Sequence, residues 1–192
     1  MSLISPELIA LFNQAAGLAR EGRFEESLKV WDQLLGPQKQ DPDQRLVLTG
    51  DFLGQATMRK AWVLMDLERY AEARDVLGSD VMQACLGQFE LKVLYEYFFS
   101  FGNVLGTLGD IAGMDDKFSR AMGIAAEELG DYPKVRQCWL NLLDHALQHK
   151  AWKYILRESD ACRSLAENYA DKELAAAAMK ARDQAQKEIK SN

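Results

Sequence analysis

His145 and His149 stand one helical turn apart with Asp144 and Gln148 beside them, a spacing that can bring two imidazoles to one metal ion. Structural zinc takes four ligands and catalytic zinc three plus an open position, and the chain has no third histidine. The pair therefore reads as polar helix surface, with a metal-binding protein or enzyme centred on His145 and His149 as the alternative. Cys138 and Cys162 lie at equal sequence distances either side of Lys150, so a redox pair across one hairpin is open to them. Both fall at core-facing positions, where cysteine behaves as a small hydrophobe, and with Cys85 they show no CxxC spacing. Gly102, Gly106 and Gly109 resemble a phosphate loop only superficially, since no strand precedes them, and they read as sites of close helix packing. The paired acids Asp115-Asp116 and Glu127-Glu128 sit near helix surfaces, without the burial that tunes a catalytic carboxylate. No catalytic residue, cofactor or metal is expected.

The period of the apolar residues sets the frame for these side chains. Leu8, Leu11, Phe12, Ala15, Leu18 and Ala19 recur at three and four, and no segment alternates long enough to make a strand. The chain is expected to be all-α. Ser5-Pro6-Glu7, Asp41-Pro42-Asp43 and Asp131-Tyr132-Pro133 offer capping side chains, a ring pre-set for the first turn, or both, and predict helix starts near 5, 41 and 131. Short polar breaks, each followed by a large apolar residue, occur at Glu21-Gly22-Arg23-Phe24, Leu67-Glu68-Arg69-Tyr70, Leu108-Gly109-Asp110-Ile111 and His149-Lys150-Ala151-Trp152. Helices are predicted near 5–21, 24–36, 42–67, 70–78, 89–108, 111–129, 132–148, 151–168 and 171–190, with a short extra helical turn over 79–88 that ends at Gly87.

Phe24, Tyr70, Ile111 and Trp152 recur at intervals of 46, 41 and 41 residues, the sign of a helix-pair solenoid in which no repeat buries its apolar face alone. The third unit carries Phe98-x-x-Phe101-Gly102-x-x-Leu105, an aromatic, a small residue for close approach and a third large residue on one helix. On these residues the chain resembles the tetratricopeptide repeat family, in its longer variety of about forty residues. The resemblance implies one domain over 1–192, an antiparallel helix-pair solenoid with repeats at about 6–41, 42–88, 89–129 and 130–168 and a capping helix over 171–190. Thr57 stands where the family has its first aromatic, Leu143 at a small position and Asp80 at a small apolar one.

In that family the first helix of each pair lines a concave binding face. Carried over by register, the inward set here is Phe12 and Ala16; Met58, Trp62 and Met65; Phe99 and Asn103; and Leu140, Asp144 and Leu147. Aromatics and methionine on such a wall suit an apolar or amphipathic peptide segment. A polar clamp for a chain-terminal carboxylate is not visible beyond Asn13, Arg59 and Asn103. The expected function is a protein-binding adaptor or scaffold, with a small repeat chaperone for a secreted or aggregation-prone client as the alternative.

The terminal helix carries Asp171 as a cap and a thin stripe of Leu174, Ala178, Ala181, Ala185 and Ile189. It reads as a seal over the last repeat; a coiled-coil seam for a homodimer is the alternative, although alanine makes a weak seam.

Hydrophobic residues make up 48% of the 192 residues and charged residues 27%, enough apolar content to bury a core and far from the composition of disorder. Twenty-three Lys and Arg against 29 Asp and Glu give a formal charge of −6, so duplex nucleic acid and anionic membranes are poor default partners. Another protein or peptide is the expected partner. The opening Met1-Ser2-Leu3-Ile4 has no basic region or apolar run, and no window approaches the ~20 apolar residues a membrane span needs, so a cytoplasmic location is expected.

Overall fold

The computed structural model describes residues 4–36 and 50–191. Among the described residues there is no strand, and ten α-helices follow one another: α1 Pro6–Arg20, α2 Phe24–Leu35, α3 Gly50–Asp66, α4 Tyr70–Leu77, α5 Asp80–Cys85, α6 Leu91–Thr107, α7 Ile111–Gly123, α8 Tyr132–Gln148, α9 Trp152–Asn168 and α10 Lys172–Ser191. The helix start expected at Asp41-Pro42 lies outside the described residues. Ser5 caps α1 by accepting from Leu8 N at 3.2 Å, ahead of Pro6, and Asp131 caps α8 by accepting from Lys134 N at 3.2 Å. The expected extra turn after α4 is α5, capped by Ser79, and a 3₁₀ turn over Leu86–Gln88. The helix expected to run regularly to 129 instead widens after Gly123 into a π turn, Ile124–Glu128, closed by Leu129 N on the Ile124 carbonyl at 3.0 Å.

One turn geometry joins most of these helices. Gly22, Glu68, Gly109, Gly130, Lys150 and Ala170 all have positive φ, between 54° and 79°, and each stands two places before the first residue of a helix. The next amide reaches back over the turn: Arg23 N to Leu18 O at 2.9 Å, Arg69 N to Leu64 O at 2.8 Å, Asp171 N to Ala166 O at 2.8 Å. This left-handed cap satisfies carbonyls that the preceding helix would otherwise leave open. At Glu68, Lys150 and Ala170 a side chain occupies a conformation that favours glycine.

The chain divides into two compact units, Met1–Tyr97 and Phe98–Asn192, so the division falls within α6. In the first unit α1 pairs with α2 and α3 with α4, while α3 also packs on α1, α2 and α5. Its interior is built on Trp31, Leu34, Leu64, Leu77 and Met82. Tyr97, on the first half of α6, donates to the Leu77 carbonyl at 3.1 Å and accepts from Gln83 at 2.9 Å.

In the second unit α7 packs on α8, α8 on α9, and α10 on both α9 and α8. Gly102 gives α6 its close approach to α7, since a β-carbon there would lie 2.9 Å from ring carbons of Phe118. α10 docks within the unit: Leu174, Ala178, Ala181 and Ala185 are buried, and Asp171 accepts from Tyr132 Oη at 3.0 Å, Arg136 Nε at 2.8 Å and Leu174 N at 2.9 Å. The alanine stripe is therefore occupied inside the chain and is not free to serve as the seam of a dimer; of its five residues only Ile189 is exposed.

The eighth residue of α2, α4, α7 and α9 is Trp31, Leu77, Phe118 and Ser159, and none is more than 1% exposed. The fourth residue is Ser27, Ala73, Met114 and Ile155, all fully buried. No helix among the described residues is long and apolar enough to cross a membrane.

Candidate protein-binding groove

In the first unit α1 and α3 wall an open groove of about 540 Å³, with Trp31 of α2 among its lining residues. Phe12 and Ala16 come from α1 and Trp62 from α3, and all three are half-buried. Phe12 is held by its neighbours: its ring centroid lies 5.1 Å from Trp31, edge to face at 87°, and 5.2 Å from Phe52. Arg59, one turn before Trp62 on α3, places its guanidinium carbon 5.5 Å from the Phe12 centroid and 5.7 Å from that of Trp62. Asn13, Arg20 and Asp66 complete the polar part of the lining. The indole nitrogen of the buried Trp31 has no hydrogen-bond partner.

Met58 departs from the expected set. At 4% exposure it belongs to the interior of the first unit, because its position on α3 faces the same side as the fully buried Ala61. Met65 is half-buried but outside the groove lining, while Arg59, Arg20 and Asp66 line it although the family register did not select them. Register picks out a helix face, whereas long side chains one position away reach over the same face through their stems.

In the second unit Leu140, Asp144 and Leu147 of α8 line a further groove of about 440 Å³. Its other wall, with Ala177, Lys180 and Gln184, belongs to α10, so the terminal helix shapes this groove as well as sealing α9. Phe99 and Asn103 line neither groove. Phe99 packs 5.9 Å from the Phe118 ring. Asn103 is a buttress between helices: its amide nitrogen donates to the Phe99 carbonyl at 3.0 Å, its oxygen accepts from Asn141 at 2.7 Å, and His145 Nε2 lies 3.3 Å from that oxygen.

The two histidines separate in role. His145 is half-buried against Gly106, where a β-carbon would come within 2.5 Å of the ring, so it is a packing residue and not ordinary helix surface. Its Nδ1 is buried without a partner, and burial holds its pKa below the usual imidazole value, opposed by the Asp144 charge. His149 is exposed. Among the described residues no group of three or more His, Cys, Asp or Glu side chains is placed to hold a metal ion. Cys85, Cys138 and Cys162 are free thiols in buried positions; burial, with the Asp171 charge behind it, pushes Cys162 up to about 12, which leaves little thiolate at neutral pH. Tyr132, half-buried and donating to Asp171, is likewise pushed up to about 12 by desolvation and that hydrogen bond.

No protein-family model matches this sequence, and no curated protein matches it.

Proposed function

We propose that this chain is a helix-pair repeat protein of tetratricopeptide type that works by holding a segment of another protein, and that the groove between α1 and α3 is the seat of that segment. The observation that carries this reading is the half-exposed aromatic pair, Phe12 and Trp62, facing one open groove of about 540 Å³. Partly exposed aromatics fixed by a buried neighbour lose little freedom when a partner covers them, the property of residues that dominate binding energy. The recurrence of buried fourth and eighth residues in α2, α4, α7 and α9 supports the repeat reading. The groove can take an apolar side chain together with the face of a helix or strand that carries it.

The experiment is a placed cross-link. All three native cysteines are buried, so a cysteine at the exposed, groove-lining Asn13 can be labelled selectively with a photoreactive group. Illumination in the native extract is expected to give a defined protein adduct that Trp62→Ala abolishes. Equal labelling from a cysteine at the exposed Lys153 of α9, or an Asn13 adduct indifferent to Trp62→Ala, would contradict the assignment.

A further inference from the structure

Arg20 and Arg59 are the only described arginines without a carboxylate partner; every other one reaches a carboxylate oxygen at 3.7 Å or closer. Both line the groove of Phe12 and Trp62. In a chain of net charge −6, with acids in excess on its surface, arginines ordinarily find intramolecular carboxylates, and the two that do not converge on one site. Arg20 spends its Nε on the Ala16 carbonyl at 3.3 Å within its own helix. Arg59 has its guanidinium carbon over two aromatic rings, a contact made without any of its N–H donors reaching a carboxylate. Asn13 adds an amide donor to the same wall. Among the described lining residues the one acid, Asp66, is two helical turns from Arg59 along α3, so the described lining is net positive at its aromatic end.

We infer that the segment held in this groove carries a side-chain carboxylate beside its apolar anchor: the anchor lies against Phe12 and Trp62, and the carboxylate is taken by Arg59 with Asn13 at its flank, while Arg20, two helical turns from Asn13 along α1, adds positive charge to the same groove. The inference rests on the protein-binding reading above and names the chemistry of the partner. Charge complementarity selects an acidic–apolar segment over a basic one, because a Lys or Arg in that place would meet the unneutralised Arg59 guanidinium, with Arg20 further along the groove. The carboxylate also gains from its surroundings, since a half-buried guanidinium already held over aromatic rings is pre-organised and partly desolvated.

The probe is a peptide library, acetylated and amidated at its ends, with a randomised Leu, Phe or Trp anchor and Glu, Gln or Lys at the flanking positions, selected on the full chain. A parallel arm carries Gln flanks and a free terminal carboxylate. Selected sequences are expected to prefer Glu over Gln and to exclude Lys. The Glu form should bind roughly tenfold more tightly than its Gln counterpart, the scale of one charge-assisted hydrogen bond. The ratio of the two affinities should fall towards one in Arg59→Gln, and because it is a ratio on one protein it is insensitive to a partial loss of fold. If Gln or Lys flanks serve as well as Glu while Trp62→Ala still abolishes binding, the groove stands and the carboxylate assignment is overturned. Enrichment confined to the free-carboxylate arm would also overturn it, making the occupant a chain terminus. No enrichment, or selected peptides indifferent to Trp62→Ala, would sink the groove and this inference together.

Discussion

The Phe118 ring occupies the space beside Gly102 in which a side chain would stand, with two ring carbons 2.9 Å from the place of a β-carbon. Gly102→Leu must therefore move either the ring or the helix, and overpacking of this kind costs on the order of 1–3 kcal/mol. Helix propensity alone acts the other way, favouring leucine over glycine by up to ~1 kcal/mol. Chemical denaturation is expected to give a lower midpoint for the variant, with recovery when Phe118→Leu makes room. A midpoint that rises would mean that α6 and α7 are not held at this distance.

The left-handed turns allow a test in the opposite direction. Ala170 has φ 55°, a conformation in which a β-carbon costs about 1–2 kcal/mol and glycine has no such penalty, although glycine gives back part of the gain through the entropy of the unfolded chain. Ala170→Gly should therefore stabilise the protein by about 0.5–1 kcal/mol, and Gly22→Ala should destabilise it by a similar amount, as read by thermal or urea unfolding. Equal stability of Ala170→Gly and the parent would show that the left-handed turn ahead of α10 is not populated.

Much of this frame is legible in the sequence, because helix period, capping residues and turn spacing are local properties. The four hairpin breaks, the cap at Asp171 and the small residue at Gly102 are each specified within a few residues of chain. The site is less legible, since it depends on which side of a helix is left uncovered. Met58 and Trp62 are one turn apart on α3, yet one is buried and the other half-open, and no local pattern separates them. Arg59 is in sequence one of three suggestive polar-clamp residues, and what sets it apart, its lack of a carboxylate, is a property of the folded surface. His145 looks like polar surface in sequence because Gly106, which admits its ring, is on a different helix.

His145 also sets a pH dependence. Its folded-state pKa is lowered by burial, with Asp144 opposing that shift and His149 adding to it, so the unfolded chain takes up a proton that the folded chain refuses. Stability should then fall as pH drops from about 6.5, the ordinary histidine value, to the lowered folded value, and this contribution should level off below it. His145→Gln removes the titration, and its stability should vary less over that interval than the parent's. An unchanged slope would place the titration elsewhere.

The docking of α10 predicts the effect of its removal. Deleting residues 171–192 uncovers apolar surface on α8 and α9 and removes the carboxylate that holds Tyr132 and Arg136, so the shortened chain should lose stability or aggregate. Leu174→Ala is the milder test, with an expected loss of about 2–5 kcal/mol for a leucine buried in full. A truncated chain as stable and well behaved as the parent would make α10 an appendage.

Whether a partner rests on Trp62 and Phe12 is decided by titrating the protein captured at the Asn13 position against the parent, Trp62→Ala and Lys153→Ala. Loss of a central aromatic anchor should weaken binding by about 2 kcal/mol or more, a rise of roughly thirtyfold in Kd, while Lys153→Ala binds as the parent does. If Trp62→Ala keeps its fold and binds as tightly as Lys153→Ala, the groove between α1 and α3 is not where the partner is held.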